Sequence, residues 1–318
     1  MFDHILLPLD GSSLAECVLP HAVAFMRAFA ARATLLYVLE LESDGEQVRR
    51  VDPLDWRIRR AEAEAYLANV AERLQAADFQ AEWVVLEGQP AERVVEYARN
   101  NDVDLIVLSS HGKSGLSRWN VSSVVEKIIQ GAHLSFLIVR AYQPVVGDLA
   151  GLQYKRLLLP LDGSQRAECV LAPATTLARV HRAQLLAAHA VLRPSLLQRV
   201  PPTPEDVELA ERLTERNRQA AAKYLEQLAP RLSVDVEARL LVTDQAAASL
   251  HDLIETENVD LVVLSAHGAA AQTKWSHGSV TTSFIDYGST PLLVVQDLPP
   301  EEVELTEAEV AAAEYKGH

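Results

Sequence analysis

The chain is short of several things, and each shortage removes a class of function. Two cysteines in 318 residues cannot build a disulfide framework. They stand at matching places, Cys17 and Cys169, each within Ala-Glu-Cys-Val-Leu on the inner face of a predicted helix, and read as small buried side chains. Basic residues are outnumbered, 29 Lys and Arg against 44 Asp and Glu, for a net charge of −15. That balance argues against a nucleic-acid partner, because no basic surface is available to neutralise phosphates. No run of 18 apolar residues exists, so no membrane-spanning helix is expected. Met1 leads directly into strand-like sequence, so no signal peptide is expected and the location is expected to be cytoplasmic. A G-x-x-x-x-G-K-[ST] loop is missing, the ten histidines show no metal-ligand spacing with Cys or acids, and no paired carboxylates stand out.

What the chain does have is one stretch used twice. Residues 104–125 begin Asp104-Leu-Ile-Val-Leu-Ser109-Ser110-His111-Gly112 and reach Val121-Ser122-Ser123. Residues 260–281 begin Asp260-Leu-Val-Val-Leu-Ser265-Ala266-His267-Gly268 and reach His277-Gly278-Ser279-Val280. Each is a continuous apolar run, as a strand buried on both faces requires, followed by a loop and a helix start. Free N–H groups and the positive dipole end then converge on one place, which suits phosphate.

Around that stretch the chain reads as strand 4–9, a helix to about 31, strand 33–39, helix 55–77, strand 80–86, helix 90–99, strand 104–109, a helix after Ser123, and strand 135–140. Val121, Val124, Val125, Ile128 and Ile129 fall on one face of the last helix, a spacing that lays it on a sheet. Pro-Leu-Asp10-Gly11-Ser12 and Pro-Leu-Asp162-Gly163-Ser164 turn the chain after the first strand of each copy, with Ser12 or Ser13 capping the next helix. Asp162 lies 152 residues after Asp10 and His267 lies 156 after His111, so the second copy gains about four residues, most simply near 193–204. Prolines there prevent helix before Glu205.

Alternating strands and helices imply an α/β fold of Rossmann-like type: two repeated open parallel five-stranded sheets with helices on both faces. The divisions are 1–142, a linker 143–153, 154–297, and an acidic tail 298–318. From Asp297 to His318 there are seven acids against one lysine, which reads as a solvated end or a partner-binding tail. The last strand of each copy would expose an apolar edge, so 136–139 and 292–295 are expected to pack on each other.

In such sheets ligands bind outside the carboxyl ends of the strands, where strand order reverses. Asp10 or Asp162 would face the small-residue loop there, accepting bonds from a sugar or base while the loop takes phosphates. An Asp-Gly-Ser turn with a helix cap explains the same residues without a ligand. His111, His267 and His277 read as locally bonded turn residues, and Lys113, Arg118 and Lys274 as loop cations.

The paired motifs resemble the universal stress protein family in its tandem form, over nearly the whole chain. Nucleotide-binding members carry G-x-x-G, nine residues, then G-[S/T]. Here the first copy has Ser109-x-x-Gly112, nine residues, Ser122-Ser123, and the second has Ser265-x-x-Gly268, nine residues, Gly278-Ser279. The resemblance implies strand order 3-2-1-4-5, Asp10 and Asp162 near an adenosine, and Val38 and Ala190 near its base. It further implies ATP, with or without Mg²⁺, bound by Ser109, Gly112, Ser122, Ser123 and by Ser265, Gly268, Gly278, Ser279, Val280. The family's dimers use the last-strand edge, so a homodimer is a further expectation. Ser109 and Ser265 replace glycine with the smallest side chain that has a Cβ. Ser122 replaces a glycine at a place where the family's motif brings bare backbone near phosphate, so the second copy, with Gly278, is expected to be the better site.

Two functions of different class follow: an ATP-binding stress or signalling module with at most slow hydrolysis, or a non-nucleotide protein acting through its dimer surface and an unidentified protein partner. An enzyme of the wider adenine-nucleotide hydrolase-like group is a third, weakened by the missing activation motifs.

Overall fold

The computed structural model describes residues 1–40, 43–44, 47–48, 53–112, 121–141, 148–194, 202–268 and 277–297. The first half runs β1 (His4–Leu9), α1 (Val18–Phe29), β2 (Arg32–Leu39), a two-rung hairpin of β3 (Ser43–Asp44) and β4 (Gln47–Val48), then α2 (Pro53–Ala76), β5 (Ala81–Glu87), α3 (Pro90–Asn100), β6 (Leu105–Ser109), α4 (Ser123–Ala132) and β7 (Ser135–Val139). The second half repeats it as β8 (Arg156–Pro160), α5 (Gln165–Glu168), α6 (Leu171–His181), β9 (Gln184–Leu192), α7 (Pro204–Leu228), β10 (Val236–Thr243), α8 (Ala246–Glu257), β11 (Leu261–Ser265), α9 (Ser279–Tyr287) and β12 (Leu292–Val295). The hairpin, within a stretch that reads as a polar loop, is the one pair of strands with no counterpart in the sequence reading.

Each half is parallel, in the order β5-β2-β1-β6-β7 and β10-β9-β8-β11-β12, which is 3-2-1-4-5 in both. The halves are not separate sheets, however. β7 and β12 pair antiparallel, Phe136 with Val294, Leu137 with Leu293 and Ile138 with Leu292, making one ten-stranded sheet. The expectation of two sheets fails for the reason that predicted the contact: two apolar edges tethered to each other satisfy their backbone groups best by hydrogen bonding directly.

The sheet carries a core on each face, continuous across both halves. Helices α1, α2, α6 and α7 cover one face through Phe25, Leu67, Leu177 and Leu225. Helices α3, α4, α8 and α9 cover the other through Val94, Ile128, Leu253 and Phe284. Alternation along β1 sends Ile5, Leu7 and Leu9 to the first face and Leu6 to the second. Of the apolar residues expected beneath α4, Val125, Ile128 and Ile129 are buried, whereas Val124 is exposed. Val124 instead lines a crevice at the carboxyl end of the sheet.

Buried polar groups hold the frame. Asp104, which opens the repeated motif, accepts from Asp3 N and His4 N at 2.8 and 3.0 Å, clamping β1 to β6. Asp260 does the same for Lys155 N and Arg156 N at 2.5 and 2.9 Å. Where α1 meets α6, Tyr154 is fully buried, its hydroxyl 2.7 Å from His21 Nδ1 and its ring 5.0 Å from that of His181. Both cysteines are shielded: burial pushes Cys17 up to about 11 and Cys169 up to about 12, the latter helped by Asp297.

Candidate functional site

β1 lies between β2 and β6, and β8 between β9 and β11, so the crossover direction reverses beside the first strand of each half. Asp10 and Asp162 follow those strands. Asp10 Oδ1 accepts from the Ser12 N–H at 2.9 Å and the Ser12 hydroxyl at 2.6 Å. Asp162 repeats this with Ser164 at 2.9 and 2.6 Å. The serine oxygens accept in turn from Ala15 N and Ala167 N, both at 3.1 Å. Ser164 is thereby the N-cap of α5, whereas neither Ser12 nor Ser13 is the N-cap of a first-half helix, Leu14 and Cys17 holding those places without a side-chain bond. The other carboxylate oxygen lies against the loop: a Cβ at Gly112 would overlap Asp10 Oδ2, and one at Gly268 would overlap Asp162 Oδ2. Glycine at these two places is therefore dictated by close approach.

The serines at the start of each loop turn their hydroxyls back onto the loop itself. Ser109 and Ser265 are buried, and their hydroxyls donate to the carbonyls of His111 and His267 at 2.6 and 2.7 Å. The far end of each loop returns to the near end through Ser122 N–H to Ser110 O, 3.0 Å, and Gly278 N–H to Ala266 O, 2.9 Å. Ser122 and Gly278 are the N-caps of α4 and α9, with φ −67° and −68°. Neither torsion needs glycine, and a Cβ at Gly278 would meet only ordinary contacts at 3.8–3.9 Å. The difference is one of hydrogen bonding: the Ser122 hydroxyl accepts from Val125 N at 3.3 Å, whereas α9 has no side-chain cap. Ser123, Ser279 and Val280 are the first residues of these helices. Lys113, Arg118 and Lys274, the expected loop cations, lie outside the described residues.

In the first half these parts enclose a crevice of about 790 Å³, within the range of small-molecule sites. Asp10, Val38, Ser109, Gly112 and Ser122 all line it, and exposed Val124 stands in its wall. In the second half Asp162, Ser265, Gly268 and Gly278 are drawn together by the corresponding contacts. Ala190 holds the place of Val38 on β9.

Three features escape sequence reading. Tyr66 on α2 lines the first crevice, its ring 6.2 Å from Tyr37, with a buried hydroxyl. Burial, then the charges of Glu16 and Asp10, raises this phenol far above its ordinary range. Behind it Arg73 reaches Glu16 at 2.7 Å. Tyr224, Glu168 and Arg231 repeat the arrangement, with Arg231 2.7 Å from Glu168 and His189 beside Tyr224. Second, Asp297, buried at the end of the second half, accepts from His267 Nδ1 at 2.7 Å and lies 3.5 Å from Arg166 Nε. Third, Arg140 follows β7 of the first half, yet donates to Phe284 O and Ile285 O of α9 at 2.7 and 3.0 Å. The recurrence of a Tyr at one helix position of each copy was the only signal of the first. Nothing local marks the other two.

Among the described residues no group of three or more His, Cys, Asp and Glu is placed to hold a metal, and no helix is long and apolar enough to cross a membrane.

Comparison with known proteins agrees with this architecture. A universal stress protein of Methanocaldococcus jannaschii is 29% identical over 141 residues, covering 44% of this chain and 83% of that protein. One from Thermus aquaticus is 31% identical over 145 residues, covering 44% of this chain and all of its own. The crystal structure of a universal stress protein from Archaeoglobus fulgidus superposes with a TM-score of 0.66 at 19% identity, over 93% of this chain and 99% of that one, and so shares the fold across both halves. The model of the universal stress protein family matches residues 1–140 and again 153–296. The chain belongs to the universal stress protein family, in tandem form.

Proposed function

We propose that the first-half crevice binds an adenine nucleotide, ATP with or without Mg²⁺, and that the chain serves as a nucleotide-holding stress or signalling module. The observation that carries this reading is the crevice of about 790 Å³ in which Asp10, Val38, Gly112 and Ser122 share one wall system. Asp10 is positioned by its turn to accept from ribose hydroxyls. The backbone beside Val38, at the end of β2, can read the edge of the base, and the Tyr37–Tyr66 pair offers it an aromatic wall. The phosphates would meet the Gly112 loop and the amides of Ser123 and Val124 at the start of α4, where a helix dipole favours an anion by about 0.3–1 kcal/mol. Mg²⁺, if carried, would arrive on the phosphates and screen their charge. This choice of half departs from the expectation raised by Gly278: the torsions of Ser122 and Gly278 are alike, so glycine gives the second half no backbone advantage, and the crevice of about 790 Å³ is lined by the first-half residues.

The test is mass spectrometry of gently purified, heat-denatured protein, then calorimetric titration with ATP. ATP should be released or bound, and Ser122→Val, which puts methyls into the phosphate position, should weaken binding at least tenfold. A folded protein that neither carries nor binds ATP would leave the non-nucleotide interaction protein as the better reading.

A further inference from the structure

The two halves agree at Asp10 and Asp162, at Ser109 and Ser265, and at Gly112 and Gly268, but they part at one cluster. At the end of β12 stands Asp297, whose counterpart after β7 is Ala141. Its carboxylate, 5% exposed, takes His267 Nδ1 at 2.7 Å and faces Arg166 Nε at 3.5 Å. Arg166 corresponds to Leu14 in the first half. His277, which precedes the Gly278 cap, stacks on His267 with ring centres 6.4 Å apart and takes the place of Val121. In the first half no such pair exists: His111 Nδ1 meets the Ser110 hydroxyl at 2.9 Å, and that oxygen accepts from Ala141 N at 3.2 Å. The second half thus carries an acid, a guanidinium and an additional imidazole that the first lacks, at the base of the loop whose first-half counterpart is proposed to take phosphate.

A buried carboxylate is stable only when paired, and this one is paired with the groups an incoming phosphate would use. Its field reaches both sides of the loop, since it acts on Cys169 next to α5 and on His277 next to α9. We infer that Asp297 is a built-in anion that occupies the electrostatic place of a phosphate in the second half, so that the first half takes the nucleotide and the second is kept shut by its own Asp297–His267–Arg166 cluster. A phosphate arriving at the Gly268 loop would find His267 and Arg166, its nearby donors, already committed to Asp297, and the carboxylate–guanidinium pair offers it no net positive charge. The open cap of α9 contributes a dipole but does not replace a free guanidinium. The inference rests on the nucleotide reading for its ligand class, a polyphosphate, and predicts a division of labour between copies that otherwise share a fold.

The experiment is calorimetric titration of the full chain with ATP, for the parent, Asp297→Asn, Asp297→Ala and Asp297→Asn combined with Gly278→Val. Asparagine keeps a hydrogen-bonding group beside His267 while removing the charge, and alanine removes both, so folding can be checked by melting for either. The parent should bind one ATP per chain. Removing the charge should add a second site, an affinity gain of at least tenfold for that half, and Gly278→Val should take the added site away. Inorganic tripolyphosphate should show the same gain, since the effect is on phosphates. Folded Asp297→Asn and Asp297→Ala proteins with the parent's stoichiometry and affinity overturn the inference, as does a parent that already fills two sites per chain. Its fate is separate from that of the proposed function: loss of that reading appears as a parent without Ser122→Val-sensitive binding, whereas this one turns on whether the Asp297 variants gain Gly278→Val-sensitive binding.

Discussion

Arg140 offers the sharpest test of how the halves support each other. Its guanidinium is 9% exposed and spans the seam, donating to Phe284 O at 2.7 Å and Ile285 O at 3.0 Å in the last turn of α9. Arg140→Met keeps much of the stem and removes the charge and its donors. Phe284 O retains the Gly288 N–H at 3.1 Å, so Ile285 O suffers most. A hydrogen bond from a charged group contributes about 1.5–3 kcal/mol, and a cation at a partly buried helix C-terminus adds up to ~2 kcal/mol. Against these stands the cost of burying the guanidinium, which methionine escapes. The balance expected is a loss of about 1–3 kcal/mol, or several degrees in melting temperature at about 2–4 °C per kcal/mol for a chain of this order of size. Urea unfolding followed by circular dichroism should show a lower midpoint at unchanged slope, with Arg140→Lys intermediate because it keeps charge but loses the planar fork. A methionine variant within about 0.5 kcal/mol of the parent would refute the reasoning, showing that desolvation cancels everything the contacts supply.

Two further outcomes follow from buried groups. With Cys17 near 11 and Cys169 near 12, both thiols should react slowly with a disulfide reagent at pH 8 in the folded protein and rapidly in urea; equal rates would mean that the burial is wrong. His21, drawn down to about 4 by burial against Tyr154, is neutral in the folded state, while the unfolded chain takes up a proton near 6.5. Its contribution is therefore fully present above pH 6.5 and is lost as pH falls towards 4. His21→Gln should flatten the stability–pH curve across that window, and an unchanged slope would assign the acid sensitivity to the other histidines.

Much of the frame is legible in the sequence because it depends on local pattern. Runs such as Leu105–Leu108 and Leu261–Leu264, short and bounded by turn residues, read as buried strands, and the second Asp-Gly-Ser turn announces its cap at Ser164. Even the seam between β7 and β12 follows from two apolar edges on one tether. Legibility fails where the partners are far apart in the chain. Tyr66 and Arg73, two turns apart on α2, meet Glu16 only after α2 has folded back over β2 and β5, and no spacing rule connects them to it. Asp297 reads as the first acid of a charged tail, although it is a buried ligand of His267. Ser109 and Ser265 look like degraded phosphate-loop glycines, but their hydroxyls turn inward to fix the loop. Residues 143–147 of the linker and the whole acidic tail 298–318 fall outside the described residues.

The antiparallel pairing of β7 with β12 has a geometric consequence for signalling. Within the ten-stranded sheet, the first-half strands point their carboxyl ends one way and the second-half strands the other, so the two loops open at opposite rims of a single sheet. The molecule is two-headed: a partner docked over one mouth leaves the other uncovered, and charges held in the two mouths are kept apart by the sheet itself. News of what one mouth contains can reach the other along the shared strands, across the Arg140 bonds to α9 and through Tyr154 between α1 and α6.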